Sequence, residues 1–482
     1  MWGSFPRSPS RSRLGHPSRA LLTLTLALFA CLTQPAPAQP PPPFPSDTIL
    51  EIQPSPAAGV FSLWLDNGLR IHIRPMPGTG KLFVAATVVG GEVLETNAQR
   101  GFTQAAANAW TRDGTPPDVL LARAATPEGL WLRAAGPAAS AQSMLDQVSA
   151  MLSRPSIDPA RLEAWKGQAR LAVSRRGRSA QTVANDAALA ALLPADRLTA
   201  ALETLDQVDA ITPAGAQAWL AERAATGPIE VAIVGDLSLD TALQAAAHSF
   251  GAASGIAARE RPGPSALRGI RDLRDAIRQT GPTRTQLTFQ PDAGAPARSL
   301  VALAFRTPDL ADLNAARALS AVMDIAATRA EPRLHEAGFP TASVRAQSLP
   351  GRLYLGSGLS MLSASLAASE GQPAGPPAAG HEPEALAILQ RTLDELAATG
   401  PTEAELREEA ATRARDARAR LNEAEYWSAI LTFTTTNGLP IDGLAAAATT
   451  YDQLTPDAAR AVLRRLWVPA ARIELTVLPA AR

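Results

Sequence analysis

Four histidines follow the N-terminal forty residues, and histidine is the residue type most often used for zinc binding and for acid–base chemistry near neutral pH. They are His72, His248, His335 and His381. No two of them stand three or four positions apart, so no helix places a pair on one face as zinc ligands. The only cysteine, Cys31, lies outside the folded body that we predict below. The pattern favours histidines at the surface or at the edge of the core.

The sequence also lacks a convincing motif for a catalytic serine or for phosphate binding. Gly356-Ser357-Gly358 does not have the Gly-x-Ser-x-Gly spacing that places a serine on a nucleophile elbow, and a β-bulge or close strand packing is the favoured interpretation. Gly90-Gly91-Glu92 lacks the Lys and Ser/Thr of a phosphate-binding loop. We therefore expect a simple turn there.

Length and composition describe an ordinary globular chain. Its 482 residues suit two domains, and 46% apolar with 19% charged residues argues against wholesale disorder. The formal net charge is zero, and the body of the chain contains no basic tract. Without such a positive field, nucleic-acid binding is not expected.

The N-terminal segment predicts export. Four arginines precede the apolar run at residues 21–30, which is too short to span a bilayer, and Ala36-Pro37-Ala38 is a cleavage pattern of small residues. Residues 1–38 therefore read as a signal peptide, and the mature protein is expected in the periplasm or cell envelope. Cys31 directly follows Leu-Phe-Ala, which resembles a lipoprotein signal, so lipid attachment at Cys31 is an alternative to its removal. No later stretch is long and apolar enough to predict a transmembrane span.

The body of the chain shows internal similarity between two halves. Thr212-Pro213 and Thr455-Pro456 each predict the start of a helix, and apolar strands follow at residues 229–234 and 472–478. Each half reads as a strand–helix–strands–helices–helix–strand unit. This order predicts an α+β fold of two tandem homologous domains, with helices packed on mostly antiparallel sheets. The predicted divisions are a Pro-rich spacer at 39–47, domains at 48–250 and 283–482, and a linker at 251–282.

Three predicted elements follow one another along the chain: a strand at residues 82–89, the Gly-Gly-Glu turn and a helix that opens with Arg100-Gly101. Their order resembles the insulinase/pitrilysin/mitochondrial processing peptidase family. Further landmarks are the Asn-Gly turn within residues 65–72 and the strand at residues 231–237. The resemblance implies a processing-peptidase-like fold and a zinc metalloendopeptidase motif, Arg-Gly-x-x-His-x-x-Glu-His. In that motif two histidines on one helical face bind zinc, and the glutamate activates a zinc-bound water.

The departures from this motif are decisive for the expected activity. Gln104, Ala107 and Asn108 stand at the positions of the two histidines and the glutamate, and Arg170 stands at the position of the third ligand on a later helix. A neutral amide is a poor zinc ligand, Ala carries no base, and a guanidinium does not ligate. We expect no zinc and no other cofactor. In the second half, His335 and Thr341 are loose candidates for the places of the Arg and Tyr that hold the substrate backbone.

The leading hypothesis is a catalytically inactive, peptidase-like subunit that pairs with an active zinc-bearing homologue in the cell envelope. The resemblance also implies binding of extended peptides by strand addition. A stand-alone peptide- or protein-binding module of the same fold is the first alternative. A divergent metallopeptidase that retains proteolysis is the second.

Overall fold

The computed structural model describes residues 48–112, 114, 117–126, 129–192, 204–251, 254–263, 283–292, 298–310, 312–350, 358–366 and 381–480. The predicted signal peptide, Cys31 and the Pro-rich spacer lie outside the described residues, as do Gly356 and Ser357. Of the predicted linker, only residues 251 and 254–263 are described. Residues 48–263 are called the N-terminal half below, and residues 283–480 the C-terminal half.

The strands of the described residues are, in chain order, β1 Ile49–Ser55, β2 Val60–Leu65, β3 Arg70–Pro75, β4 Lys81–Val89, β5 Trp110–Thr111, β6 Leu120–Ala125, β7 Gly129–Pro137, β8 Ser156–Ile157, β9 Ile229–Gly235, β10 Thr283–Phe289, β11 Ser299–Arg306, β12 Ser343–Leu349, β13 Leu359–Leu366 and β14 Ile473–Pro479.

The α-helices of the described residues are α1 Phe102–Ala109, α2 Ala141–Ser153, α3 Pro159–Arg175, α4 Ala180–Leu192, α5 Leu205–Ala210, α6 Pro213–Thr226, α7 Leu239–Phe250, α8 Leu313–Glu336, α9 Glu382–Thr399, α10 Glu403–Leu421, α11 Ala424–Ile430, α12 Thr434–Asn437, α13 Ile441–Ala445, α14 Ala447–Asp452 and α15 Pro456–Leu466. None of the helices that the structure describes has the length and apolar character that crossing a bilayer requires.

Among the described residues, seven strands from the N-terminal half form the first sheet, in the order β1-β2-β3-β9-β4-β7-β6. All neighbouring pairs are antiparallel except β3 and β9. The predicted Asn-Gly turn joins β2 to β3, with Gly68 at a φ of 87° that a side chain would disfavour. Alternate residues of β3, Ile71 and Ile73, enter a core shared with α2 and α7 on one face of this sheet.

The second sheet, in the part of the chain that the structure describes, consists of five strands from the C-terminal half in the order β10-β14-β11-β13-β12. Here β10 and β14 are parallel and the other pairs antiparallel. Helices α8, α9 and α15 pack on one face, where Phe305 meets Trp467 edge-on at 5.3 Å between ring centroids. Thr212 and Thr455 cap α6 and α15 as predicted, each accepting a backbone N–H of the first turn.

Each half covers the remaining face of the other half's sheet. Helix α4 of the N-terminal half packs Ala184, Ala188 and Leu192 against the second sheet. In return, α11 to α13 of the C-terminal half pack Trp427 and Leu431 against the first sheet, among other apolar side chains. Both sheets are thus enclosed on two faces, and Pro45–Arg482 forms one compact unit.

The sequence predicted the fold class correctly, since both sheets are mostly antiparallel and carry helices. The consecutive strands β6 and β7 form an antiparallel pair at one edge of the first sheet. Helix α8 contains a proline, Pro332, within its length. It continues through Pro332 to Glu336, because packing on the second sheet holds it beyond the proline.

The expectation for the histidines holds for three of the four. His248, His335 and His381 are exposed. His72 is fully buried, so the prediction of a surface or core-edge position was wrong for this residue. Its strand lies inside the first sheet, between β2 and β9, and the C-terminal half covers it.

Candidate functional site

Helix α1 carries the positions that the sequence singled out, and the chain leading into it is tightly fitted. At Gly91, a Cβ atom would lie 2.4 Å from the carbonyl oxygen of Thr126 and 2.6 Å from the backbone nitrogen of Gly129. Only glycine allows this close approach of two backbones. Two short 3-10 turns, Glu92–Leu94 and Asn97–Gln99, then carry the chain to the start of the helix.

The N-terminus of α1 is capped by a carboxylate from outside the helix. Gly101 at the N-cap has a φ of 87°, and the Glu95 carboxylate accepts hydrogen bonds from the backbone N–H groups of Gly101 (2.9 Å) and Thr103 (2.6 Å). These donors and the positive end of the helix favour the charged carboxylate. Burial opposes them and is the largest influence, so the pKa of Glu95 is raised.

Small residues fix α1 between two layers. Ala105 and Ala109 pack against α3, in contact with a cluster that includes Leu162 and Trp165. Ala107 lies on the other side, in the core of the first sheet, and is fully buried. Alanine at these positions lets the helix backbone approach both neighbours, so the helical frame that the resemblance implies is present.

The three motif positions on α1 have other roles in this chain. Gln104 is half-buried and donates from Nε2 to Oε1 of Glu92 at 2.9 Å. Asn108 is exposed and donates from Nδ2 to the carbonyl of Gln104 at 2.8 Å, a bond within its own helix. Between them Ala107 contributes only a buried methyl group.

Arg170, at the predicted position of the third ligand, lies on α3, which packs against α1. Its Nε and Nη2 both donate to Oδ1 of Asp209, at 2.9 and 2.6 Å, and its side chain is 43% exposed. Its neighbour Lys166 is buried and donates to the carbonyls of Asp209 and Ile211 at the end of α5. This face of α3 therefore holds α5 in place.

These side chains do not fit a zinc ion. Two neutral amides, a methyl group and a guanidinium offer no ligand of the kind that zinc prefers, and the guanidinium would repel it. Elsewhere in the described part of the chain, no three or more His, Cys, Asp or Glu side chains are grouped so that they could hold a metal.

The two loose candidates of the second half lie at the end of α8 and just beyond it. His335 is exposed, and its Nε2 lies 3.0 Å from the carbonyl oxygen of Ala342. Thr341 is exposed as well. His335 thus ties the end of α8 to the segment that leads into β12.

The structure also brings His72 together with two residues that the sequence did not single out, Ser62 and Glu230. Oγ of Ser62 lies 2.8 Å from Nδ1 of His72, and Nε2 of His72 lies 3.4 Å from Oε2 of Glu230. His72 and Glu230 are fully enclosed and Ser62 nearly so, which excludes a hydrolytic triad open to substrate. One sequence signal could have indicated the position of His72. Basic and apolar residues alternate along β3, which places His72 on the face opposite the isoleucines that enter the core.

The sequence matches no protein-family model, and no curated protein matches it significantly. Solved structures do match. An inactive M16 peptidase domain from Pseudomonas fluorescens aligns with a TM-score of 0.70 at 15% identity, over 90% of this chain and 99% of that one. A protease from Helicobacter pylori aligns with a TM-score of 0.66 at 12% identity, over 89% and 99%.

The periplasmic protease PqqL from Escherichia coli aligns with a TM-score of 0.69 at 14% identity, over 95% of this chain but 49% of its own. The present chain therefore spans about half the length of PqqL and nearly all of the two shorter proteins. The chain has the two-domain fold of the insulinase-like M16 peptidases.

Proposed function

We propose that this chain is a catalytically inactive, peptidase-like protein that binds no zinc and acts as the non-catalytic half of an assembly with an active, zinc-bearing homologue. The observation that carries the proposal is that helix α1 has the expected position and packing but lacks zinc-binding side chains. The strand, turn, cap and packing of that helix are intact, while Gln104, Ala107, Asn108 and Arg170 are engaged elsewhere or lack a ligand atom. Such a frame preserves shape without the zinc chemistry of the family.

The length of the solved relatives supports the pairing part of the proposal. PqqL contains about twice the length that this chain covers, and a similar chain from Pseudomonas fluorescens is described as an inactive domain. Two units of this fold, one of them inactive, are a reasonable arrangement for an assembly made from separate chains. The predicted signal peptide and the periplasmic location of PqqL support an envelope location.

The edge strand β6 supports a role in binding extended peptides. Among the strands that the structure describes, it pairs with β7 alone, and it packs beside α1. Its first residue, Leu120, is 75% exposed. An edge strand offers backbone hydrogen bonds to an added strand, and an exposed leucine offers apolar contact, neither of which needs a metal. The same strand favours the second candidate function, a stand-alone peptide-binding module.

A pull-down from the envelope of the native host, followed by mass spectrometry, tests the proposal. We expect a stoichiometric homologue that carries His-x-x-Glu-His, and peptidase activity that requires the pair and is abolished by a chelator. Recovery of the chain alone, with binding of unfolded peptides, would replace the pairing hypothesis with the stand-alone module. Chelator-sensitive peptidase activity of the purified chain by itself would overturn the inactive assignment.

A further inference from the structure

Strand β3 carries three basic side chains on one face, and two of them, His72 and Arg74, contact the C-terminal half. Arg70, His72 and Arg74 alternate along the strand with Ile71 and Ile73, whose side chains enter the core on the opposite face. The basic face belongs to the side of the first sheet that α11 to α13 cover. Strand β3 thus places a row of potential positive charges at the junction between the two halves.

The two arginines of this row are held largely by neutral groups. Arg74 donates from Nε to the carbonyl of Ala58 at 2.9 Å, and its Cζ lies 4.6 Å from the ring centre of Trp427. Arg70 donates from Nη2 to Oε1 of Gln53 at 2.7 Å, and its Cζ lies 4.6 Å from the ring centre of Trp64. The carboxylate that meets this row within the junction comes from β9.

That carboxylate, Glu230, joins β9 to the C-terminal half. Its Oε2 accepts the backbone N–H of Thr435 at 3.0 Å, and its Oε1 accepts the backbone N–H of Thr436 at 2.5 Å and the Thr436 hydroxyl. Charged acceptors on backbone N–H groups make strong hydrogen bonds in a buried setting. This carboxylate is therefore a principal polar link across the junction.

His72 completes the link in a form that suits a neutral imidazole. Its Nδ1 lies 2.8 Å from Oγ of Ser62, and its Nε2 lies 3.4 Å from Glu230 and 3.3 Å from the hydroxyls of Thr434 and Thr435. A neutral ring accepts from Ser62 and donates from Nε2, which satisfies both nitrogens. A protonated ring would also donate from Nδ1 to the Ser62 hydroxyl, but it would add a third positive charge to β3 in a fully buried position, which is energetically costly.

We propose that Ser62, His72, Glu230 and Thr434 to Thr436, called here the junction cluster, form an acid-sensitive link that holds the two halves together when His72 is neutral and loosens when His72 is protonated. This inference concerns the junction and does not depend on the proposed function.

The groups that face His72 come from four directions. Glu230 from β9 favours the protonated ring, and Arg70 from β3 disfavours it. From β2 the ring meets the Ser62 hydroxyl, and from the C-terminal half it meets threonine hydroxyls. Residues 431–437 contain no charged side chain.

Charged groups farther out act on residues other than His72. Glu51 and Arg261 act on Arg70 with opposite signs. Glu425 of α11 pairs with Arg133 of β7 at 2.6 Å. The proton affinity of the His72 ring is therefore set within the junction cluster and by Arg70.

Burial is the largest influence and lowers the pKa of His72 below its ordinary value of 6.5. A proton therefore binds the opened junction more readily than the closed one. The stability that the neutral ring gives is fully present above pH 6.5 and is lost as the pH falls below that value, toward the lowered pKa of the closed state.

Hydrogen exchange of the purified full chain between about pH 7.5 and about pH 5.5 tests this link, with rates corrected for the intrinsic pH dependence of exchange. We expect protection of the Thr435 and Thr436 amides to fall by up to about tenfold toward the acid end, while Leu303 and Leu475 in the second sheet keep theirs. His72→Gln should remove the fall, because an amide does not titrate. His248→Gln, at an exposed position on α7, should keep it.

A flat wild-type profile, or an unchanged fall in His72→Gln, would overturn the proposal. An equal fall at Leu303 and Leu475 would also overturn it, since acid would then act on the whole fold. If His72→Gln does not fold, the His72 ring is titrated by NMR in the wild-type chain. The proposal requires protonation of the ring and loss of Thr435 protection over the same pH range, and separation of the two would overturn it.

Discussion

Gln104 donates from its side-chain amide to the carboxylate of Glu92 at 2.9 Å, which joins the first motif position of α1 to the turn that precedes the helix. A zinc-binding histidine at this place would have its ring directed to a metal. The amide here instead contributes to the local structure of the turn. Arg170 has an equivalent structural partner in Asp209. Both positions have therefore acquired local contacts of their own.

Restoring the zinc motif should damage the fold at one position. Ala107 is fully buried in the core of the first sheet, so Ala107→Glu would place a carboxylate without a partner among apolar side chains. We expect a loss of about 3–5 kcal/mol in the free energy of unfolding, measured by urea denaturation. The exposed Asn108→Glu serves as the matched control and should change it by about 0.5 kcal/mol or less.

The triple variant Gln104→His, Ala107→Glu, Asn108→His should hold no stoichiometric zinc after dialysis, because Arg170 supplies no third ligand. Atomic absorption on the dialysed protein measures the metal content. One zinc per chain, together with wild-type stability, would show that the ligand positions on α1 and α3 are wrongly assigned.

Each half expressed without the other should fail to fold cooperatively. Residues 48–263 alone would expose the apolar face that Trp427 and Leu431 cover, and residues 283–482 alone would expose the face that α4 covers. We expect dye binding to exposed apolar surface and broad thermal transitions for each piece, and a sharp transition when both are co-expressed. Two monomeric pieces that each unfold sharply would contradict the mutual dependence of the halves.

The pair between Arg329 and Glu405 should give a defined acid dependence. Arg329 donates from Nε and Nη2 to the two carboxylate oxygens of Glu405, each at 2.6 Å, and this bonding lowers the pKa of Glu405 from 4.5 to about 2. The stabilisation is present above pH 4.5 and is lost as the pH falls from there to about 2.

Because Glu405 is 33% exposed, solvent screens the pair, and Arg329→Met should cost about 1 kcal/mol at neutral pH. The urea midpoints of the variant and the wild type should converge as the pH falls from 4.5 to about 2. Arg407→Met is the matched control, since its partner Glu403 and the arginine itself are largely exposed. An equal effect of both variants would contradict the special role of the bidentate pair.

Strand addition at β6 should be sensitive to charge at Leu120. Leu120→Lys places a charge on the exposed edge beside α1, and we expect at least about tenfold weaker binding of an extended, apolar peptide or of the partner, with unchanged thermal stability. Leu50→Lys, on the edge strand β1 at the other side of the same sheet, also changes an exposed leucine and should leave binding unchanged. Equal effects of the two substitutions, measured by fluorescence anisotropy, would count against β6 as the binding edge.

Local signals in the sequence were sufficient to predict the secondary-structure elements named here. Thr-Pro pairs marked the starts of α6 and α15, the Asn-Gly turn joined β2 to β3, and apolar runs marked β4, β9 and β14. These features depend on neighbouring residues, which is why a single sequence contains them. The altered motif on α1 was visible because the spacing after Arg100-Gly101 is local too.

Contacts between the halves were not predictable in the same way. The position of Trp427 over the first sheet depends on residues of the other half. The burial of His72 was not predictable for the same reason, because its partners Glu230 and Thr434 are distant in the chain. A lone histidine between two arginines carries no local indication that a remote carboxylate and a set of hydroxyls enclose it.

The exchange of covering helices sets an order of events for the growing chain. The first sheet has all its strands once Gly235 has been made, but the helices that cover its second face begin only at Ala424. His72 gains a threonine partner that lies 362 positions later. Contacts of such sequence separation form slowly, and an incomplete chain would carry an uncovered apolar sheet throughout. For a protein predicted to be exported, completion of the whole chain, rather than of its first half, is the step at which native structure becomes attainable.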